Sequence, residues 1–590
     1  VKATRIRRAG WRSTLVVVGG IALLLSASGV GGATGTKTPR VSVKSGGSLT
    51  YALDENIPGF NINTTADSEF VLQEVMNLVW PQVFIVNAKL QPILNTQLVT
   101  SAKQTSTSPQ TIVYTINPAA KWSDGSPIDA EDFIYNYAAQ SGLSKYTDIT
   151  KKPFDDASNT GYSQMKSVTG SAPAGGAACT SATIPGIGTF ACANGKTVTV
   201  VYSTPFADWR SLFGDLVPAH VAAKVGWNTG FQNWKNVLSG SWYTFSKYTA
   251  NQFLVLKKNP KYWSKPGVLN TITFQIFNGD DQVVSAMQNN EVQVINPLEV
   301  SLTAVQQADK LTGVDQSLIG GLEFQHIDFN ESDPYLAIKG VRQALAYAID
   351  RKQIVQRTVG EYDKKITPLD SRVLVPGQTG FKANGAAYDT VNDAKAKSLL
   401  TAAGMTLGSD GYFHPKTGPQ AGKDLTFTIQ STSGDELRSN IEELVQADLQ
   451  KVGVKLIIHN EDAATLFGTT LPQGQYQITL FAWVATPFIS GNLSIYCSYT
   501  KGAACGQNWV HYKNPAVDTL MNAGATATST GTETKDFNAA DKILWNDMVT
   551  LPLFQAPVLT VWSKSYGNIV PNPSSVGITW NAQTWGVKAS

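Results

Sequence analysis

The chain has 590 residues, of which 42% are hydrophobic and 15% charged, with a net charge of +3. A chain of this length buries more than one core, and so balanced a charge excludes a broad basic face for nucleic acid. Charged residues are sparse and Gly, Ser, Thr, Asn and Gln carry much of the polarity, which suits an extracytoplasmic surface.

The N-terminus has the layout of a secretory signal. Lys2, Arg5, Arg7, Arg8 and Arg12 precede a short apolar run, Leu15 to Leu25, and the small residues Ser26, Ala27, Ser28 and Gly29 follow. The run is shorter than the ~20 residues that span a bilayer. Export is therefore expected, with residues 1–28 as signal. Leu25-Ser26-Ala27 has the shape of a bacterial lipobox, with Ser28 where the lipidated cysteine would stand. A hydroxyl is a poor substitute for a thiolate, so no lipid anchor is expected at Ser28; an ordinary cleavage site among small residues reads equally well. Residues 29–46 hold too few apolar side chains to fold and are expected to be a flexible tether.

Order is expected from Gly47 onward. Ser48 to Leu53 reads as a strand, and Phe70, Val71, Val75, Met76 and Val79 recur at helical spacing over 65–80. Thr111 to Ile116 is β-rich. Pro127 and the acids Asp129, Glu131 and Asp132 launch a helix at Ala130. Residues 155–196 read as a polar insertion carrying Cys179 and Cys192. Strands follow at 197–202, 252–257 and 271–276, a helix over 339–358, and a helix over 436–452 leading into a strand at 454–458. Alternating strands and helices predict α/β lobes. The four cysteines fall into close pairs, Cys179 with Cys192 and Cys497 with Cys505, and in an exported chain such pairs predict two local disulfides.

Catalytic signatures do not emerge. The five histidines, His220, His326, His414, His459 and His511, show no metal-ligand spacing. There is no G-x-S-x-G elbow. Gly195-Lys196-Thr197 resembles the end of a P-loop, but Phe190 stands where the first glycine belongs. Adjacent acids such as Asp280-Asp281 diverge on any regular element and define no acid/base pair. No cofactor, no metal and no enzymatic activity are expected.

Five segments, in order along the chain, resemble extracellular solute-binding protein family 5, the oligopeptide/dipeptide-binding group. They are Lys121-Trp122-Ser123-Asp124-Gly125 through Asp132; Ser239-Gly240-Ser241-Trp242-Tyr243 with Asn259-Pro260-Lys261-Tyr262-Trp263; Val341-Arg342-Gln343-Ala344-Leu345-Ala346-Tyr347-Ala348-Ile349-Asp350-Arg351; Leu444 through Val454; and Tyr476 through Leu480 leading to Trp483. The resemblance covers 47–590. It implies a two-lobed α/β fold, a Venus flytrap with an extra subdomain on lobe I. Lobe I would comprise 47–62, 196–317 and 556–590, the subdomain 63–195, and lobe II 318–555. It also implies a monomer that captures a peptide or similar small solute and delivers it to an ABC permease, with no nucleic-acid partner. A regulator or scaffold reusing the fold is the alternative.

In the family, the segment after the fifth motif lines the cleft and its Asp neutralises a peptide ammonium. The matching residues here are Ala482, Trp483, Val484, Ala485 and Thr486, so a hydroxyl stands at the acid's place. Asp54 and Glu55, after the first strand, are the nearest candidates for that charge, and Asn56 beside them is expected to bind ligand. Trp80 and Trp483 are expected on the cleft, with Trp509 and Trp562 as weaker candidates; Trp122, Trp242 and Trp263 are expected in the core.

Overall fold

The computed structural model describes residues 40–156, 160–172, 179–277, 279–297, 300–462, 465–499, 507–574 and 576–589, with backbone alone at 280–281. The signal, Ser28 and most of the expected tether lie outside the described residues, as does Cys505. The compact unit begins at Val41. The expected tether therefore ends earlier than residue 46: Val43 bridges Lys588, Lys44 N–H donates to Val587 O at 2.8 Å, and Val41 N–H donates to Asn568 Oδ1 at 2.9 Å. Backbone pairing with the C-terminal segment, which needs no apolar side chain, holds these residues.

A ten-stranded mixed sheet organises the chain. Its order is Tyr243–Thr249, Phe253–Lys258, Thr271–Ile276, Ser48–Leu53, Val294–Ile295, Thr550–Ser563, Val314–Phe329, Ile478–Val484, Thr426–Gln430 and Lys455–Ile458. Two long antiparallel strands, Val314–Phe329 and Thr550–Ser563, run through its middle. On one side Ser48–Leu53 runs parallel to Thr271–Ile276 and Val294–Ile295; on the other Thr426–Gln430 runs parallel to Lys455–Ile458 and Ile478–Val484. Parallel strands covered on both faces need continuous apolar side chains, and each half has its own core. Leu49, Tyr51, Ile272 and Phe274 belong to one, and Ile327, Phe427, Ile429 and Leu480 to another.

The long strands are interrupted where the halves meet. Pairing runs regularly from Val314 opposite Ser563 to Gly320 opposite Pro557, then resumes at Phe324 opposite Gln555. Gly321, Leu322 and Glu323 thus face the single residue Ala556, a bulge that bends the strand. Gly321 is required by space: a Cβ there would lie 2.8 Å from Val558 Cγ2 and 3.0 Å from Ala556 O.

A separate four-stranded antiparallel sheet, Val99–Thr107, Gln110–Ile116, Thr197–Tyr202 and Met165–Ser171, shares the first core through Tyr114, Val198 and Val200. Thr197–Tyr202, assigned to lobe I by resemblance, pairs here instead. The polar segment 155–196 contributes Met165–Ser171 to the same sheet, because one covered face needs only alternate apolar residues such as Met165 and Val168.

The recurring motifs prove to be structural ties. Trp122 Nε1 donates to Asp132 Oδ2 at 3.1 Å; Asp132 also accepts from Ala219 N–H at 2.9 Å and completes a capping box with Asp129. The helix expected over 339–358 is two helices, Lys339–Ala348 and Arg351–Arg357. The break falls at Ile349, whose backbone is extended, and Asp350 caps the second helix by accepting from Gln353 N–H at 2.9 Å. Arg351 is then buried, donating to Leu369 O, Pro552 O, Asp370 and Asp389. The helix expected over 65–80 covers Phe70–Met76, with Glu69 extended before it.

Candidate functional site

The two sets of parallel strands end at Leu53, Ile276 and Ile295 on one half and at Gln430, Ile458 and Val484 on the other. Carboxyl ends of parallel strands are where open α/β sheets place ligands.

On the second half, Ala482, Trp483 and Val484 pair with Gln325, Phe324 and Glu323, and Ala485 N–H donates to Leu322 O at 2.9 Å. The expected cleft segment therefore lies against the bulge. Trp483 is part of an aromatic wall assembled from four segments. Its ring stacks on Trp509 (centroids 5.2 Å, planes 26° apart) and on His326 (5.9 Å, 18°), and meets Phe481 edge-on at 5.1 Å. Phe467 joins through Phe481 and Trp509 at 5.8 and 6.4 Å. Trp483 is half-buried, its Nε1 facing no acceptor. Phe467 and Val484 are exposed. Leu90, from the hairpin of Phe84–Val86 and Pro92–Leu94, packs on the same cluster as Trp483 and Ala485.

Thr486 is exposed, but its hydroxyl closes its own loop: Oγ1 donates to Phe488 O at 2.5 Å and accepts from Phe488 N–H at 3.1 Å. Charge is present nearby on other residues. Arg438 Nε donates to Gln325 Oε1 at 3.2 Å, and its Nη1 pairs with Asp435 at 3.1 Å. Glu461 accepts from Gln430 Nε2 at 2.8 Å and Thr470 Oγ1 at 2.6 Å. Thr470 ends the turn Leu466–Thr470 that carries Phe467.

On the first half, Asp54 is buried, and Glu55 and Asn56 are exposed. Sequence reasoning missed a second acid there. Glu74 is buried and accepts from Tyr51 Oη and, at 3.4 Å, from Asn296 Nδ2, which in turn is linked through Oδ1 to Thr560 Oγ1. Burial pushes the Glu74 carboxyl well above the usual range, with the charge of Asp54 acting the same way. Its signal was available: Glu74 falls on the buried helical stripe with Val71, Val75 and Leu78. Three strands separate Ser48–Leu53 from Ile478–Val484, so the two groups stand on the order of 20 Å apart measured across the sheet.

Trp80 is fully buried, packed edge-on against Phe231 at 5.4 Å beside a void of only about 10 Å³. That void is too small for a solute, so Trp80 is corrected from a cleft residue to a core residue, where its large ring packs into the first core. Trp122 and Trp242 are also buried, and Trp263 donates to Gln97 O at 3.0 Å. Trp562 packs on the first core, away from the aromatic wall, opposite Val294 and Asp315. Cys179 and Cys192 are disulfide-bonded across the hairpin of Ala182–Ile184 and Gly188–Phe190. Cys497 is disulfide-bonded. Among the described residues, Asp410, His414 and Asp424 form a His/Asp group of ligand-compatible spacing. The two carboxylates approach opposite ring nitrogens, 3.0 Å from Nε2 and 3.9 Å from Nδ1, and Lys455 also approaches Asp424. That arrangement is a surface cluster of two carboxylates, one imidazole and one ammonium.

A family model described as bacterial extracellular solute-binding proteins, family 5 Middle, matches residues 94–504. The chain belongs to the bacterial extracellular solute-binding proteins of family 5. Among curated relatives, the oligopeptide-binding protein OppA of Mycobacterium tuberculosis is 27% identical over 529 residues, covering 88% of this chain and 81% of the relative. Among solved structures, the periplasmic EDTA-binding protein EppA superposes with a TM-score of 0.80 at 24% identity, covering 93% of this chain and 98% of that one. The oligopeptide-binding protein AppA from Bacillus subtilis, in complex with a nonapeptide, gives 0.69 at 19% identity, covering 93% and 100%. This family 5 chain has their two-lobed α/β fold and is a solute-binding protein. No helix among the described residues is long and apolar enough to cross a membrane.

Proposed function

We propose that this protein is the extracytoplasmic capture component of an ABC importer, closing two lobes over a solute and presenting it to a membrane permease as a monomer. Lobe I comprises 41–62, 203–317 and 556–590, the subdomain 63–202, and lobe II 318–555, with the bulge at Gly321–Glu323 as hinge. No catalytic step belongs to this reading; delivery follows from a shift between open and closed populations.

The observation that carries the ligand class is the aromatic wall around Trp483 beside a Thr486 whose hydroxyl is already engaged. Such a wall takes up ring faces and apolar side chains. A buried ammonium without a counter-ion costs several kcal/mol, and position 486 supplies none. The preferred solutes are therefore peptides with blocked or absent amino termini, or neutral ring-bearing solutes. The relatives' printed ligands, oligopeptides and EDTA, show how far solutes diverge on this fold.

Native mass spectrometry of the purified protein, followed by calorimetric titration with one tripeptide, free and N-acetylated, tests the reading. A co-purified neutral solute, or acetylated peptide binding at least as well as free peptide, supports it. Strong preference for the free amine places an acid at the ligand and overturns the assignment of position 486.

A further inference from the structure

Beside the aromatic wall lies a small apolar cluster drawn from several segments. Leu322, Phe324, Leu369 and Val375 are buried, and Leu90, Phe381, Trp483 and Ala485, each half-buried, pack around them. Trp483 and Ala485 belong to the expected cleft segment, Leu322 to the bulge and Phe324 to the strand just after it. Of these eight residues, Leu90 is the one that comes from the subdomain. It stands at the tip of the hairpin of Phe84–Val86 and Pro92–Leu94.

Leu90 has a φ of +59°, in the left-handed region that glycine enters freely and a residue with a Cβ does not. Asn87 holds it there. Asn87 Oδ1 accepts from Lys89 N–H at 2.9 Å and from Gln91 N–H at 3.0 Å, its N–H donates to Gln91 O at 3.0 Å, and its O accepts from Leu90 N–H at 2.9 Å. A turn fixed in this way suits glycine at residue 90 better than leucine, so what the leucine adds is its contact with the cluster and not the turn. The hairpin is also tied to the bulge. Asn572 Nδ2 donates to Val86 O at 3.0 Å, the following Pro573 O accepts from Leu322 N–H at 3.1 Å, and Leu322 O accepts from Ala485 N–H at 2.9 Å. Leu90 is thus held at the bulge end of the wall.

We propose that Leu90 is a specificity-determining residue: its side chain is the end-stop of an apolar subsite lined by Phe381, Trp483 and Ala485, and it sets the size of the group that the subsite accepts. The inference rests on the reading of the aromatic wall as the solute site, and it names what the bulge end of that wall selects. The Trp483 indole offers a flat face, and the small Ala485 two residues on leaves room beside it for an apolar group. Leu90, fixed by its turn and by the ties to the bulge, ends that room. An apolar pocket with a rigid end discriminates by size, by roughly 10–200-fold for a methylene more or less. A moderate aliphatic group is therefore preferred to an indole.

The test uses the full chain and N-acetylated tripeptides of alanine that carry one leucine or one tryptophan at each position in turn, titrated by calorimetry. At the position that reaches the subsite, the wild type is expected to bind the leucyl peptide better. Leu90→Gly takes up the turn without strain and removes the stop, so the ratio of leucyl to tryptophanyl affinity there is expected to shift toward tryptophan by at least about tenfold. Leu90→Phe lengthens the stop and is expected to shift the ratio the other way. Ile93→Ala, on the same hairpin but exposed, is expected to leave both affinities within about twofold. Ratios unchanged at every position in Leu90→Gly, or shifted in the same direction by Leu90→Phe, overturn the end-stop. An Ile93→Ala shift as large as that of Leu90→Gly does so too, because it traces the effect to the hairpin as a whole. Trp483→Ala with the same peptides separates this inference from the site reading. If it weakens binding while Leu90→Gly leaves the ratios unchanged, the wall stands and the end-stop alone falls. If it changes nothing, or if no peptide binds the wild type, the wall is not the site and the end-stop falls with it.

Discussion

The indole of Trp483 lies stacked on that of Trp509, with ring centroids 5.2 Å apart and planes 26° from parallel. The two residues come from different segments, one from the strand Ile478–Val484 and one from the loop ahead of the helix Pro515–Ala525, so the stack is a tertiary feature. It gives a ring or apolar side chain a preformed face and leaves the Trp483 Nε1 without an acceptor.

Removing that face is the first test of the site. Trp483→Ala should weaken binding of an N-acetylated tripeptide by at least about tenfold, since an aromatic pair contributes roughly 0.5–1.5 kcal/mol beyond its buried area. Trp483→Phe should lose less. Trp80→Phe, in the core, should lower the melting temperature and leave the dissociation constant within about twofold. Titration calorimetry and thermal melting separate the two; an unchanged dissociation constant in Trp483→Ala removes the wall from the site.

The bulge gives a second prediction. Gly321→Ala brings a Cβ to 2.8 Å from Val558 Cγ2 and 3.0 Å from the Ala556 carbonyl, and backbone does not yield cheaply. Overpacking of this kind costs typically 1–3 kcal/mol. A lowered melting temperature and an altered scattering-derived distribution of lobe separations are expected. Gly313→Ala, just before the strand with open space around it but a φ of +74°, should cost about 1–2 kcal/mol from its backbone alone and leave the lobe separation unchanged.

Thr486→Asp is the third. The Asp carboxylate is short enough to keep accepting from Phe488 N–H in place of the hydroxyl, while adding the charge that position lacks. A charge-assisted hydrogen bond contributes roughly 1.5–3 kcal/mol; with the carboxylate shared, the preference for free over acetylated tripeptide should rise about tenfold. No change in that ratio means the ligand amine does not approach residue 486.

Much of the fold is legible because it rests on local pattern. Thr197–Tyr202 and Gln110–Ile116 alternate buried and half-buried side chains along their whole length, and Asp129 and Asp132, on either side of Ala130, close a capping box. Other features needed tertiary context. The break at Ile349 is invisible to apolar periodicity, which continues through it, and is imposed by what holds Asp350 and Arg351. Trp80 looks the same in sequence whether it faces a cleft or a core. At the candidate site, the segment Ala482–Thr486 is recognisable by motif, but its partners Trp509, His326 and Phe467 are gathered from separate segments. Asp208 and Ser490 are 282 positions apart, and no spacing rule joins them.

The last prediction concerns stability and pH. Several acids are raised by burial: Asp215 is pushed up to about 6, although Gln73 and Gln82 donate to it, and Glu331 and Glu442 reach about 7 despite Arg342 beside one and Asn460 bonded to the other. Each folded-state value lies above the unfolded one, so the folded state binds more protons between them. The stability these groups contribute is fully present below about pH 4 and is lost as pH rises through 6 to 7. Asp124 and Asp547, lowered by hydrogen bonds from Ser126 and Tyr512 against the opposing effect of burial, act in the other direction and lose their contribution only in strong acid. The melting temperature should therefore be highest on the mildly acidic side, near pH 5, and fall steadily to pH 8. Glu442→Gln keeps an acceptor for Asn460 Nδ2, which now donates to Glu442 Oε2 at 2.7 Å, and removes one titrating group. Its melting curve should fall less steeply between pH 5 and 8 than that of the wild type. A wild-type melting temperature that rises over that interval shows these carboxyls to be ionised in the folded protein, and parallel curves for wild type and Glu442→Gln remove Glu442 from the effect.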